Sequence, residues 1–311
     1  MSKYVFGVDL GGTTVKMGLF TDGGEVLDKW EIVTIKDDNG ARILPDIAQS
    51  VLKKKEEKNI ADADVIGVGI GVPGPVDSKG VIYKAANLGW DVFNVSETLG
   101  KLVGFPVKAG NDANVAALGE MWMGGGKGFE SLVMVTLGTG VGGGIIVEGK
   151  LLAGSTGAGG EIGHIRVNDC ETETCGCGKK GCLEQYASAT GVVRLAKRRL
   201  LKDDKASVLR NKEIDCKAVW DAVKEGDEVA VEIANEFGVI LGKGLAAIGC
   251  VVNPEAFVIG GGVSKAGTII LDYVKDNYKN IVFRGCEDAK FVLATLGNDA
   301  GIYGAAKLVL E

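Results

Sequence analysis

The sequence predicts an α/β protein made of two duplicated lobes, each with a βββαβα-type order of elements. Three observations support this prediction. The chain has 311 residues, which is more than a single hydrophobic core usually fills. Short apolar strands alternate with helical patterns along most of its length. A strand, a glycine turn and a returning strand begin near residue 4 and again near residue 131, which is typical of a duplication.

The composition is that of an ordinary globular protein and excludes several classes of function. Hydrophobic residues make up 46% of the chain and charged residues 24%. The net charge of −6 argues against general nucleic-acid binding, because that function needs basic surfaces that neutralise phosphates. The sequence has no apolar run of about 18 residues and no signal-peptide pattern at its start. We therefore expect a cytoplasmic protein without a nucleic-acid or membrane partner.

The first lobe opens with a meander whose first turn is rich in glycine. Its three strands are predicted over residues 4–9, 15–20 and 25–34. The turn carries Gly11, Gly12 and Thr13, whose backbone N–H groups and hydroxyl can bind phosphate oxygens. Asp9, at the end of the first strand, can hold a hydrated cation beside them. The motif D-L-G-G-T-T alone fits a plain hairpin turn equally well.

Asn111 and Asp112 lie between a strand and a helix in the rest of this lobe. The pattern predicts the following further elements: a helix within 40–58, a strand over 65–72, a helix over 94–104, a strand over 105–109 and a helix from 113. Ligands collect at strand ends in open α/β sheets, so both side chains are candidate binding residues. The alternative is that one of them only caps the helix.

The second lobe repeats the opening pattern around Gly138, Thr139 and Gly140. Its predicted elements are strands over 131–137, 141–147, 256–259 and 291–294, and helices over 190–201, 216–225, 227–249 and 299–310. A third glycine group, with Gly261 and Gly262, follows the strand over 256–259. Three such turns can bind the phosphates and nucleoside of ATP from both lobes across a cleft, although the sequence contains no P-loop motif.

A glycine-rich loop between Gly154 and Glu184 contains the single histidine of the chain. His164 is followed by four cysteines between residues 170 and 182. Three thiols and one imidazole match the ligands of a closed, tetrahedral zinc site, although the spacing alone does not decide which three cysteines bind. Glu161 and Glu184 bracket this array. A redox switch formed by the cysteines is the alternative.

The combined motifs resemble the ROK family of sugar kinases and related repressors, which has the actin-like ATPase (ribonuclease H-like) fold. The resemblance covers residues 4–309. It rests on D-L-G-G-T-T at 9–14, G-V-P-G-P-V-D at 71–77, N-D-A-N at 111–114, L-G-T-G-V-G-G-G at 137–144, G-E-I-G-H at 160–164 and C-G-C-G-K-K-G-C-L-E at 175–184. It implies a smaller lobe of residues 1–113 with 299–311, a larger lobe of 114–298 and a homodimer.

The resemblance also implies roles for individual residues. Asp112 would be the general base for the sugar hydroxyl, and backbone near Gly74 would close the sugar pocket. The other expected sugar ligands are Asn111, Glu161, His164 and Glu184. The expected zinc ligands are His164, Cys175, Cys177 and Cys182. Mg-ATP would be held by Asp9, Gly11, Gly12, Thr13, Gly138, Thr139 and Gly140, with Gly261 and Gly262 near the adenosine.

Substrate choice within the family is the least determined feature. The segment Ala86-Asn87-Leu88-Gly89-Trp90 resembles the glucokinase branch, which implies phosphorylation of the 6-hydroxyl of glucose by ATP. Three alternatives stay open: N-acetylmannosamine, N-acetylglucosamine, mannose or fructose as substrate; polyphosphate as donor; or a sugar-sensing regulator without catalysis. Family repressors carry an added N-terminal DNA-binding domain, for which we expect no room before the strand at Tyr4.

Overall fold

The computed structural model describes residues 3–83, 85 and 87–311, which form two compact units. Unit 1 comprises the described residues up to Gly128, together with Gly144–Gly160 and Leu296–Glu311. Unit 2 comprises Phe129–Gly143 and Glu161–Thr295. The lobe boundaries expected from the sequence, 1–113 with 299–311 and 114–298, stay a prediction.

Two five-stranded sheets with the same strand order account for most of the β-structure. The strands are β1 (Tyr4–Leu10), β2 (Thr14–Thr21), β3 (Val26–Val33), β4 (Val65–Val72), β5 (Val81–Ile82), β6 (Phe93–Asn94), β7 (Val107–Asn111), β8 (Leu132–Leu137), β9 (Val141–Val147), β10 (Lys150–Leu151), β11 (Ala256–Gly260) and β12 (Lys290–Leu293). The first sheet has the order β3-β2-β1-β4-β7 and the second β10-β9-β8-β11-β12. If the five strands of each sheet are numbered along the chain, both sheets have the spatial order 3-2-1-4-5. The duplicated α/β architecture is therefore confirmed.

The helices connect and cover these strands. They are α1 (Asp37–Gly40), α2 (Ile43–Glu57), α3 (Val95–Val103), α4 (Asp112–Met123), α5 (Glu184–Ala187), α6 (Ala189–Leu200), α7 (Cys216–Lys224), α8 (Glu228–Val252), α9 (Ile269–Lys279) and α10 (Ala300–Leu310). Most begin or end within about two residues of the prediction, because caps mark their ends in the sequence. Asn94, for example, accepts a hydrogen bond from the Glu97 N–H at the start of α3.

The parallel strands of the first sheet end at one edge, and this edge positions the candidate site of unit 1. Strand β1 runs parallel to β4 with Asp9 opposite Gly71, and β4 runs parallel to β7 with Val72 opposite Asn111. Strand β7 begins two residues later than predicted. Pro106 has no N–H to donate, and its carbonyl instead accepts a bond from the Val68 N–H.

Helix α10 approaches the first sheet very closely because the facing positions are glycines. A Cβ added at Gly69 would lie 1.7 Å from the Ala305 carbonyl oxygen, and one added at Gly304 would lie 1.6 Å from the Val115 oxygen of α4. Any side chain larger than hydrogen would clash at these two positions. Glycine therefore allows β4, α4 and α10 to pack tightly against one another. The packing fixes α4, whose first turn carries Asp112.

Helix α8, the longest helix among the described residues, belongs to unit 2. Among the described residues it is the one helix long and apolar enough to cross a bilayer, and half of its most apolar window is buried. Phe237, Leu241 and Leu245 are fully buried. A core helix of a globular unit has the same properties, so this helix is weak evidence for a membrane span.

Two features of unit 1 were not predicted. Strands β5 and β6 form a small antiparallel pair. Within α1, Asp38, Asn39 and Gly40 have φ angles of 50°, 55° and 69°. These three consecutive residues are in the left-handed region, so α1 is a left-handed turn and not a regular α-helix. These deviations do not alter the two sheets.

Candidate functional site

The cysteine and histidine side chains of the loop in unit 2 converge on one point. The ligand atoms of His164, Cys175, Cys177 and Cys182 all lie within 4.8 Å of one another. The Sγ atoms of Cys177 and Cys182 are 3.6 Å apart, and Cys175 Sγ is 3.9 Å from His164 Nδ1. Cys170 is exposed and is not part of this cluster. The spacing alone had left the choice among the four cysteines open.

These distances suit a tetrahedral zinc ion. Sulfur and nitrogen ligands at about 2.3 and 2.0 Å from one Zn²⁺ lie about 3.5–3.8 Å from each other. Burial, together with the neighbouring thiols of Cys177 and Cys175, raises the pKa of Cys182 to about 12. Burial also raises the pKa of Cys175, whereas the backbone N–H of Lys179 lowers the pKa of Cys177. A bound metal ion would therefore have to displace the protons of Cys175 and Cys182.

A buried ionic network, missed in the sequence, ties this loop to helix α6. The Glu171 side chain is only 1% exposed and lies 2.6 Å from Arg194 Nη2 and 3.1 Å from Arg198 Nη2. The Tyr186 hydroxyl donates a hydrogen bond to the same carboxylate, and the backbone N–H groups of Thr172 and Glu173 donate two more. The pKa of Glu171 would be raised by burial, but these donors outweigh burial and lower it.

Both glutamates that bracket the array lie against it. Glu161 Oε2 is 3.8 Å from His164 Nε2, on the side of the ring opposite the cysteine contact. Glu184 Oε2 accepts a hydrogen bond from the Val141 N–H at 3.0 Å, and its Oε1 accepts one from Cys175 Sγ at 3.5 Å. The imidazole can therefore bind a metal with one nitrogen and a polar ligand with the other.

The turn between β8 and β9 is fixed by the start of α6. The Gly138 N–H donates to the Gly140 oxygen, and the Gly138 oxygen accepts a bond from the Ala189 N–H. The Thr190 hydroxyl donates to the Thr139 oxygen at 2.9 Å, a contact that the sequence did not indicate. The turn is thereby held with the Thr139 side chain exposed.

Two neighbouring cavities lie in unit 2. The larger has a volume of about 1140 Å³ and is lined by Thr139, Trp220 and Gly262, among others. The smaller, of about 390 Å³, is lined by Cys175 and Glu184 and shares Thr139 with the larger. The structure thus brings the turn at Thr139 and the glycine group at Gly262 to one cavity. Gly261 has a φ of 84°, which suits glycine, and a Cβ there would lie 2.5 Å from the Leu137 oxygen.

In unit 1 the turn after β1 is held by Thr34, which the sequence did not indicate. The Gly11 N–H donates to the Thr14 oxygen, and the Thr34 hydroxyl donates to the Gly11 oxygen at 2.8 Å. The Thr34 N–H also donates to the Thr13 oxygen. These bonds define one backbone shape for the loop that includes Gly12, and the Thr13 side chain is exposed.

Two carboxylates influence each other at the edge of the first sheet. Burial raises the pKa of Asp9 to about 6; Lys16, its cross-strand neighbour, opposes this shift, and Asp112 adds to it. Asp9 is therefore close enough to Asp112 for their charges to interact. A cation beside Asp9 would relieve both effects.

Asn111 combines two contacts at the start of α4. Its Oδ1 accepts hydrogen bonds from the N–H groups of Ala113 and Asn114, so Asn111 caps α4. Its Nδ2 also donates to the Gly74 oxygen at 3.1 Å. Capping and binding are compatible, because the cap holds Asp112 in the first turn of the helix. In the segment that resembles the glucokinase branch, Ala86 lies outside the described residues.

Comparisons with known proteins agree over nearly the whole chain. A model of the ROK family matches residues 5–311. A glucokinase of Halalkalibacterium halodurans is 42% identical over 99% of this chain and 96% of its own length. A crystal structure of a ROK family glucokinase from Streptomyces griseus, in complex with glucose and AMPPNP, is 37% identical, covers 98% of both chains and has a TM-score of 0.74. A ROK hexokinase from Thermus thermophilus is 32% identical over 98% of this chain and 97% of its own, with a TM-score of 0.81.

Proposed function

This chain belongs to the ROK family, and we propose that it is an ATP-dependent glucokinase that converts glucose to glucose 6-phosphate. Curated glucokinases at 34–42% identity over nearly the full length support this function. The observation that carries the proposal is the position of Asp112, in the first turn of α4 at the edge of the first sheet, beside Asn111 and close to Asp9.

We propose Asp112 as the general base. Its carboxylate accepts the proton of the 6-hydroxyl while that oxygen forms a bond to the γ-phosphorus of ATP. The bond from phosphorus to the bridging oxygen breaks, and that oxygen leaves on ADP. Phosphoryl transfer needs positioning, charge stabilisation and a base, and it needs no covalent intermediate with the protein.

The proposed sugar ligands are polar groups that suit hydroxyls. They are Asn111, Glu161, His164 and Glu184, with backbone near Gly74. Carboxylates accept hydrogen bonds from hydroxyls, and an imidazole with its other nitrogen on a metal can donate or accept. Asn111 already uses its amide to hold Gly74, which supports a preformed pocket wall on unit 1.

The proposed donor ligands are the glycine turns. They are Asp9, Gly11, Gly12 and Thr13 in unit 1, and Gly138, Thr139, Gly140, Gly261 and Gly262 in unit 2. The larger cavity has room for a nucleoside, and Thr139 and Gly262 line it. Asp9, whose pKa is raised by burial to about 6, would hold Mg²⁺ and its waters through its ionised carboxylate.

We also propose that the Cys/His cluster holds zinc through His164, Cys175, Cys177 and Cys182. The ion supplies no chemistry to phosphoryl transfer. It would hold the loop so that Glu161 and the free His164 nitrogen face the sugar. A homodimer in the cytoplasm completes the proposal, and light scattering of the purified protein tests the dimer.

The test is a panel of sugars and donors. Purified protein is incubated with glucose, mannose, fructose, N-acetylmannosamine, N-acetylglucosamine or N-acetylgalactosamine and with Mg-ATP or polyphosphate, and kcat/KM is measured for each pair. We include the last sugar because an N-acetylgalactosamine kinase of a Shewanella strain is 30% identical over 97% of this chain. Glucose with ATP should be preferred. A higher kcat/KM for an N-acetylated sugar would reassign the substrate, and glucose binding without turnover would favour the regulator.

A further inference from the structure

Arg194 of α6 lies between the metal-binding loop and the larger cavity of unit 2. Arg194 is a lining residue of both cavities. Nη2 lies 2.6 Å from Glu171 Oε2, Nε donates to Glu173 Oε2 at 3.0 Å, and Nη1 donates to the Gln185 oxygen at 3.2 Å. With the side chain 18% exposed and three partners in fixed directions, the guanidinium has one well-defined position.

The partners of Arg194 belong to the segment that carries the metal ligands. Glu171 and Glu173 precede Cys175, and Gln185 follows Glu184. Gln185 also accepts hydrogen bonds from the N–H groups of Gly181 and Cys182. A change in the position of this loop must therefore move the groups that hold Arg194.

Helix α6 also holds the proposed donor turn, through the residues at its start. Thr190 lies one helical turn before Arg194 and so shares its face of the helix. Its hydroxyl binds the Thr139 oxygen, and the Ala189 N–H binds the Gly138 oxygen. Inside unit 2, a continuous series of contacts therefore runs from the cysteines through Arg194 and α6 to Thr139.

We propose that Arg194 is a positioning residue that couples the metal-binding loop to the phosphoryl donor, so that metal occupancy sets the affinity for ATP as well as for sugar. This inference rests on the proposed function, because it takes the larger cavity to hold ATP. Coupling between two sites of a protein is typically 5- to 150-fold, and we expect about tenfold here.

The experiment is a thermodynamic cycle. The dissociation constant of AMPPNP with Mg²⁺ is measured by calorimetry for wild type and Arg194→Met, each with zinc bound and after treatment with a zinc-selective chelator. In wild type, zinc removal should weaken AMPPNP binding about tenfold. In R194M the zinc-bound protein should already bind about tenfold more weakly, and zinc removal should add less than about twofold.

Arg199 provides a matched control on the same helix. It is also ion-paired to two carboxylates, Asp203 and Glu232, but both partners lie outside the metal-binding loop and Arg199 lines neither cavity. Arg199→Met should behave as wild type in the cycle. If R194M does not fold, Arg194→Lys, which keeps the charge without the planar fork, should show the same loss of coupling at smaller amplitude.

The reciprocal measurement takes the affinity for zinc, not for nucleotide, as its readout. Because coupling is mutual, AMPPNP should tighten zinc binding about tenfold in wild type and less than about twofold in R194M, measured by competition with the chelator. Equal effects of zinc removal in wild type and R194M, or wild-type affinity for AMPPNP in R194M, would overturn the inference alone. A wild-type protein that binds no nucleotide would contradict the proposed function and the inference with it.

Discussion

The two five-stranded sheets share one strand order, but the segments attached to them differ in kind. In the first sheet, Asp9 and Asn111 lie at the ends of strands β1 and β7, and Asp112 begins helix α4 directly after β7. In the second sheet, strand β10 leads into a long segment with little regular structure, which carries Glu161, the Cys/His cluster and Glu184.

The difference teaches how one scaffold can carry two tasks. Carboxylates at strand ends are held by the sheet itself and by the glycine-packed helices α4 and α10, so they need no further support. Between β10 and α5 the described residues form no further strand. This segment is held instead by contacts of the Cys/His cluster and of the buried Glu171 carboxylate. In our account, unit 1 supplies the base and unit 2 supplies most of the recognition.

The largest expected effect is that of Asp112→Asn. Removing the base should lower kcat about 10²–10⁴-fold while metal content stays at the wild-type value. Steady-state kinetics with glucose and Mg-ATP measure this. Asp227→Asn, which changes an aspartate at the start of another helix, α8, is the control and should leave kcat unchanged. Near-normal turnover in D112N would remove Asp112 from the base role.

Cys177→Ala should give the next largest effect, on recognition. Losing one of four ligands should release the metal and weaken glucose binding about 10–100-fold, because the loop that holds His164 is no longer fixed. Metal analysis and calorimetry check both. Cys170→Ala is the matched control, since this exposed cysteine lies in the same loop outside the cluster. Wild-type metal content and glucose affinity in C177A would show that the cluster is dispensable.

Glu171→Gln should destabilise the protein without touching a proposed ligand. It removes the buried carboxylate that faces Arg194 and leaves that guanidinium only the exposed carboxylate of Glu173, which should lower the free energy of unfolding by about 3 kcal/mol. Glu232 is a partner of Arg199, and the Glu232 side chain is 43% exposed. Glu232→Gln should therefore lower the free energy of unfolding by less than about 1 kcal/mol. Urea denaturation of both variants measures the difference. Equal, small losses would mean that the network does not hold the loop.

Asp9→Asn should stabilise the protein, in a pH-dependent way. Because the folded-state pKa of Asp9 is about 6, above its unfolded value, the folded state binds more protons than the unfolded state between about pH 4 and 6. Ionisation of Asp9 therefore lowers the free energy of unfolding as pH rises through that window. D9N should be more stable than wild type by up to about 3 kcal/mol at pH 7, and equally stable near pH 4. Denaturation without Mg²⁺ or ATP checks this, and a pH-independent difference would contradict it.

Local motifs made much of the account predictable. The family membership and most strands of both sheets followed from residues close together in the sequence. The choice of Cys175, Cys177 and Cys182 beside His164 came from the family resemblance, and the cluster agrees with it. The supporting contacts did not, because they join distant residues of ordinary types. Thr34 reaches Gly11 and Arg194 reaches Glu171 across 23 residues each. Nothing in the sequence around such residues marks them before the fold brings them together.

The most direct test compares glucose binding in Asp112→Asn and Cys177→Ala by calorimetry, with metal content measured on the same samples. The account predicts that D112N binds glucose within about fivefold of wild type and keeps its metal, whereas C177A loses the metal and binds glucose at least about tenfold more weakly. The opposite pattern, with glucose binding abolished in D112N and intact in C177A, would contradict the assignment of base and recognition to the two units.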